Sequence, residues 1–307
     1  MNLNSIKDKF ENKQIDKWNY IDAMYAQHEI LFDYCDFIKN TNISKIEIVD
    51  GDVIMTFRDS GVKLICTRND KRLAPFETLN FGGYEAEELQ MQKDLIDPGF
   101  TILDIGGNYG WYAIHMAKCF PTSTIYSFEP IPNTFDYLVK NLSLNEIKNV
   151  SAQLLGLSDS EGSFVFYYDP SLSVNASLKN LTDKESVEGV NCKVSTLDIW
   201  SANKAKIDFI KCDVEGAELL VFKGAIETIK RDKPIVFSEM LRKWTSKFDY
   251  HPNEIIHLFK SLGYSPYVIS DRSIKPFTLV DENTIETNFI FLHDQEHKGK
   301  IEKFSLS

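Results

Sequence analysis

The segment Ile102-Leu103-Asp104-Ile105-Gly106-Gly107-Asn108-Tyr109-Gly110 is an apolar run that carries an acid and enters a glycine-rich turn. Glycines let such a turn bend and let a ligand approach the backbone. A helix opening after Gly110 would aim its free N–H groups at the same ligand. Asp104, Gly106, Asn108 and Gly110 are therefore candidate contacts to a nucleoside cofactor. A second acid, Glu129, lies 25 positions beyond Asp104 and closes the apolar run 124–128. That is near the spacing at which a carboxylate meets two vicinal ribose hydroxyls. Gly156-Leu157-Ser158-Asp159 follows a third apolar run. There Ser158 or Asp159 can bond an exocyclic amine, or Asp159 can simply start a turn.

Two further acids close later apolar runs: Asp213 after 207–212, and Glu239 after 234–238. Neighbouring strands lie about 4.8 Å apart, so two such carboxylates can converge. They can share one proton and act as a general base near neutrality. They can equally bind Mg²⁺ or another divalent metal through oxygen. The plainer alternatives are a turn cap for Asp213 and an ion pair with Arg242 for Glu239. His251, in a loop before Pro252, is an alternative base. Glu215 and Glu218 suit a turn and a helix N-terminus instead. Asn175 and Ser177 lie in a polar stretch, 168–192, that reads as an insertion or loop. Both side chains suit recognition of an acceptor's hydroxyls.

The glycine loop separates two cofactor classes. A dinucleotide fingerprint needs Gly-x-Gly-x-x-Gly, and Asn108 stands where its second glycine would be. An NAD-dependent oxidoreductase is thus the remote alternative. Acid-x-Gly-x-x-x-Gly instead resembles motif I of class I methyltransferases, where the methionine part of S-adenosylmethionine crosses the loop. Its cationic groups favour a nearby carboxylate.

Several blocks in order resemble the FkbM family of methyltransferases. They are Gly83-Tyr84-Glu85, the 104–110 loop, Phe128-Glu129-Pro130, Leu157-Ser158-Asp159, Asn175-Ala176-Ser177, Ser195-Thr196-Leu197-Asp198, and the acid-rich 211–218. The resemblance covers about residues 80–295 and implies a class I fold, S-adenosylmethionine and O-methylation. It adds Tyr84, Glu85 and Asp213 to the cofactor contacts. It implies acceptors such as a sugar or glycoconjugate (capsule or lipopolysaccharide, for example) or another small natural product. The loop reads Gly-Gly-Asn where the family more usually has Gly-Ala-Asn.

The elements needed to position these residues are legible as periodicity. From residue 84, short apolar runs alternate with helical patterns, which predicts an α/β fold with a mainly parallel, Rossmann-like sheet. Seven strands are expected, the last pair antiparallel, with helices at 133–145 and about 217–231. Before them, 1–40 reads as helices with an apolar stripe that includes Trp18, Tyr25 and Phe32, and 45–66 as a small antiparallel unit turned at Asp50-Gly51. The expected division is 1–80, helices plus β unit, and 81–307, the methyltransferase-like domain. The 34 basic and 45 acidic residues, formal charge −11, argue against a nucleic-acid partner. No apolar stretch is long enough to span a bilayer. Five dispersed cysteines without a CxxC and a charged N-terminus point to a cytoplasmic protein with reduced thiols. The apolar stripe in 1–40 suggests a homodimer.

Overall fold

The structure is a computed structural model that describes residues 2–68, 70–169, 172–181 and 187–305, except the side chains of 172–176. Helices α1 (Leu3–Glu11), α2 (Lys17–His28) and α3 (Ile30–Phe37) form an N-terminal arm. Asn2 and Asp16 cap the first two by accepting from backbone N–H groups of the opening turns. An antiparallel sheet follows: β1 (Ile43–Val49), β2 (Asp52–Phe57) and β3 (Lys63–Cys66). Asp50 and Gly51, at φ 51° and 90°, make the two-residue turn that matches the twist of its flanking strands.

After α4 (Ala74–Phe81) and α5 (Ala86–Leu95) the chain alternates strand and helix. The first half is β4 (Thr101–Ile105), α6 (Trp111–Cys119), β5 (Thr124–Phe128), α7 (Pro132–Leu144) and β6 (Val150–Gln153). A separate four-stranded sheet intervenes: β7 (Gly156–Leu157), β8 (Gly162–Asp169), β9 (Leu172–Ser177) and β10 (Glu188–Ser195). The second half has α8 (Leu197–Ser201), β11 (Phe209–Cys212), α9 (Glu218–Lys223), α10 (Ile226–Asp232), β12 (Ile235–Glu239) and α11 (Arg242–Thr245). It ends with α12 (Asn253–Ser261), β13 (Tyr264–Ser270), β14 (Ser273–Pro276), β15 (Asn288–His293) and α13 (Lys298–Phe304).

The central sheet runs β14-β13-β15-β12-β11-β4-β5-β6. Its five strands from β6 to β12 are parallel, in chain order 3-2-1-4-5. β15 enters antiparallel between β12 and β13. The seven expected strands are thus joined by an eighth, β14, folded back on β13 as an edge hairpin. Every residue of β11 is buried, as a parallel strand covered on both faces requires. The strand order reverses between β4 and β11, which places the ligand crevice of this fold class outside their carboxyl ends.

Two differences from the sequence expectation have clear causes. The stretch 168–192 contributes β9, the end of β8 and the start of β10 rather than only a loop: of the first five residues of β10 only Cys192 is buried, so its pattern mimics a loop. The helix expected over about 217–231 breaks into α9 and α10 at Gly224, where a Cβ would lie 2.0 Å from the Ser158 carbonyl.

The boundary expected at residue 80 falls at the end of α4. The N-terminal sheet shares one hydrophobic cluster with the central sheet: Phe57 and Leu64 pack with Ile102, Trp111 and Phe209. The N–H groups of Lys63 and Ile65 donate to Asn145 and Asn141 of α7 and its C-cap, both at 2.9 Å. Among the described residues no helix is long and apolar enough to cross a membrane.

Candidate functional site

A cavity of about 400 Å³ opens at the carboxyl edge of β4, β5, β11 and β12. Its walls include Gly106, Gly107, Asn108, Glu129, Asp213, Glu215 and Glu239, with Tyr84 and Glu85 from the segment before α5. Leu155, Gly156, Leu157 and Phe166 close an apolar end.

The turn after β4 is held from two sides. The amides of Gly106 and Gly107 both donate to the Phe128 carbonyl, at 3.1 and 2.8 Å. A Cβ on Gly106 would lie 1.8 Å from the Asp213 carbonyl oxygen, and one on Gly107 2.1 Å from Ser127 Oγ. Glycine is therefore required at Gly106, where the clash is with backbone, for the loop to lie against β11; at Gly107 the near atom is a serine hydroxyl that can rotate. Glu129 is buried. It accepts from the Asn108 amide at 3.0 Å and from the Ile131 amide at 2.9 Å. Burial pushes its carboxyl up to about 7, while the two amides hold it down. Each carboxylate oxygen keeps a further lone pair for a ligand hydroxyl. Asp104 lies beneath the loop, accepting from Ser127 at 2.8 Å, with Lys211 at 3.7 Å.

The opposite wall is acidic. Asp213, Glu215 and Glu239 each bring one carboxylate oxygen to within 4.8 Å of the others. Asp213 Oδ1 and Glu215 Oε2 have no hydrogen-bond partner among the described residues. Burial, then the charge of Asp213, pushes the carboxyls of Glu215 and Glu239 well above the usual range. One buried cation, Lys211, faces this group. Its Nζ donates to the Gly106 carbonyl at 3.1 Å and lies 3.4 Å from Asp213 and 5.1 Å from the Tyr112 ring centre. Burial alone would lower its pKa, but Asp213 and Asp104 outweigh that and keep it charged.

Three cavity residues hold strained backbones. Glu85, Asn108 and Glu215 have φ of 43°, 47° and 54°, a region that costs non-glycine residues roughly 1–3 kcal/mol each. Tyr112 steadies Glu85 by donating to its carboxylate at 2.6 Å. Glu218 steadies the 213–216 turn. It accepts from the amides of Val214 and Gly216, both at 3.0 Å, and from the Tyr250 hydroxyl at 3.3 Å.

The methyltransferase FkbM domain family matches residues 104–266, more than half of the chain. The chain belongs to this family. Among curated relatives, it is 32% identical over 156 residues to "Methyltransferase sdnD" of Sordaria araneosa, covering 41% of this chain and 60% of that protein. It is 33% identical over 150 residues to "Hexuronic acid methyltransferase AglP" of Haloferax volcanii, covering 48% of this chain and 58% of that protein. The match thus spans about three fifths of each relative's length. A solved structure of an FkbM methyltransferase from Methylobacillus flagellatus superposes with a TM-score of 0.39 at 16% identity, over 71% of this chain and 53% of that one. Membership of the FkbM family leaves the dinucleotide alternative without support.

Seven of the residues singled out from sequence line the one cavity: Tyr84, Glu85, Gly106, Asn108, Glu129, Asp213 and Glu239. Asp104 acts from below. Gly110, at φ 92°, opens α6 and packs against Leu138. Ser158 and Asp159 stand outside the cavity lining, although Gly156 and Leu157 just before them are in it. Ser158 is buried, its amide donating to the Ser195 carbonyl at 3.0 Å. Ser177 is buried too, and its hydroxyl donates to the Glu215 carbonyl at 3.0 Å, so it braces the acidic turn from behind. The side chain of Asn175 lies outside the described residues. His251 is exposed and away from the cavity lining, its amide donating to Glu254 at 3.3 Å. Arg242, the alternative partner for Glu239, donates instead to the Glu282 carbonyl at 3.2 Å.

Sequence reasoning passed over Lys211 and Tyr112. The signal for Lys211 was present: a lysine inside an otherwise apolar strand next to Asp213 needs buried counter-charges. Nothing local marked Tyr112, whose partner Glu85 is far away in sequence.

Proposed function

We propose that this protein is an S-adenosylmethionine-dependent methyltransferase that methylates a hydroxyl oxygen of a sugar or glycoconjugate. The observation that carries the reading is the meeting of Glu129 and the Asn108 loop on one wall with Asp213 and Glu239 on the other. The residues suit the cofactor. Glu129 offers acceptors to ribose hydroxyls, and the apolar end at Leu155–Leu157 and Phe166 suits an adenine. The unpartnered oxygens of Asp213 and Glu215 suit a neighbouring positive charge. The cofactor, when bound, supplies an electrophilic methyl group.

The acceptor side falls to this chain's own acids. A sugar hydroxyl is a weak nucleophile and must lose its proton as it reacts. Asp213 and Glu239 bring carboxylate oxygens to within 4.8 Å of each other, with Lys211 balancing part of the charge on Asp213. A carboxylate of that group takes the hydroxyl proton, and the cavity walls align the oxygen. The same three oxygens suit a second version, in which a divalent cation held by Asp213, Glu215 and Glu239 acidifies the hydroxyl. The sugar acceptor draws support from the relative named as a hexuronic acid methyltransferase. A small natural product is the alternative acceptor.

Thermal-shift titration with S-adenosylhomocysteine and, separately, NAD tests the cofactor. A shift with the former alone is expected, and a shift with NAD alone would reject it. Nucleotide sugars incubated with the methyl donor should gain one methylene in mass. Full activity after EDTA treatment would remove the cation version.

A further inference from the structure

Beyond Ile6, which is buried in α1, the N-terminal arm is a helical structure without a core of its own. No residue between Lys7 and Asn42 is buried. Helices of 12 and 8 residues, as α2 and α3 are, do not persist in water unless an apolar face is packed. Yet the large apolar side chains of both point outward: Trp18 is 72% exposed, Phe32 64%, Tyr25 57% and Leu31 57%, with Ile30 and Phe37 about half exposed. Inside the chain, a Phe10–Tyr20 ring stack at 4.4 Å ties α1 to α2. The base of the arm is firm, because Arg58 donates to the carbonyls of Ile38 and Ile43 at 3.1 and 2.9 Å.

Area and charge say what covers this face. The six side chains named expose roughly 700 Å², close to the ~800 Å² that each partner contributes to a stable interface and above the ~300–600 Å² patches of ordinary monomers. A membrane surface would want lysines and arginines around such a face. Here α2 and α3 carry one lysine, Lys17, against Asp22, Asp33 and Asp36. We propose that α2 and α3 pair with the same two helices of a second copy of this chain, giving an isologous dimer. The surface is self-complementary in kind, apolar against apolar, and each arm supplies the packing that the other's short helices lack.

Sedimentation equilibrium of the full chain tests this. At about 20 µM the expected mass is twice that of one chain, and Trp18→Glu with Phe32→Glu should raise the dimer dissociation constant at least about 100-fold, since buried aromatic anchors dominate such interfaces. Amide exchange gives a readout that needs no variant: protection in 17–37 should fall on dilution of the wild type, while protection in β11 stays constant. A wild type of single-chain mass across about 1–100 µM overturns the proposal. So does a doubly substituted variant that remains dimeric, or a monomer that sediments with vesicles of phosphatidylcholine and phosphatidylserine.

Discussion

The Asn108 amide donates to the Glu129 carboxylate at 3.0 Å, joining the turn after β4 to the end of β5. This bond holds a residue of left-handed backbone, φ 47°, and a buried acid as one unit. The turn and the candidate ribose acceptor are thus joined by a hydrogen bond within the chain itself.

Glu129→Ala removes the acceptor for the Asn108 and Ile131 amides and the proposed acceptor for the ribose. Hydrogen bonds to a charged group contribute about 1.5–3 kcal/mol each. The affinity for S-adenosylhomocysteine, measured by calorimetry, should fall at least about 100-fold on that scale. Unchanged affinity in a folded variant would end the ribose role.

Glu239→Gln should act on chemistry rather than on donor binding, whereas Asp213→Asn should weaken both. Loss of a positioned base lowers turnover by about 10²–10⁴. The expected pattern for Glu239→Gln is a kcat loss of that order with the KM for the methyl donor changed only slightly. An equal loss of donor affinity in Glu239→Gln would instead make Glu239 part of the cofactor site.

Glu218 links the fold to pH. Burial, outweighing its backbone amide partners, pushes its carboxyl from 4.5 up to about 7. A raised carboxyl binds its proton more tightly in the folded state, so the contribution is favourable at low pH and is lost as pH rises toward 7. Glu218→Gln keeps an oxygen for the Val214 and Gly216 amides and cannot ionise. Stability of the variant relative to wild type should therefore climb between pH 4.5 and about 7 and level off above it. Urea midpoints along that range give the measurement, and a difference that stays flat would contradict the shift.

Much of this site is readable in sequence because its parts are local. Asp104, the glycine turn and α6 form one strand–turn–helix, and Glu129 closes the next strand, so spacing alone brings them to one edge. The remainder depends on contacts distant in sequence. Glu215 looks like a turn residue until its left-handed backbone brings its carboxylate beside Glu239. Ser177 looks like an acceptor contact, yet β9 brings it behind the Glu215 carbonyl, 38 positions away. The break at Gly224 reflects the backbone of Ser158, which no helical pattern reveals. Ser158 and Asp159 form a good turn, and nothing in their types says that the cavity stops one residue earlier, at Leu157.

Gly106→Ala probes the closest backbone approach in the site. The residue sits at φ 80°, and an added Cβ would meet the Asp213 carbonyl oxygen at 1.8 Å. Neither side can easily yield: Gly106 donates to Phe128, and the Asp213 amide donates to the Ile105 carbonyl, both at 3.1 Å. A left-handed alanine costs about 1 kcal/mol, and forcing atoms into a packed region about 1–3 more. The urea midpoint should drop by the equivalent of about 2–4 kcal/mol at an unchanged slope. Gly83→Ala is the control, since its Cβ would meet nothing within 4 Å, and it should fall within about 0.5 kcal/mol of wild type. If the two variants unfold alike, the turn after β4 does not press on β11, and the coupling of this turn to Asp213 is lost with it.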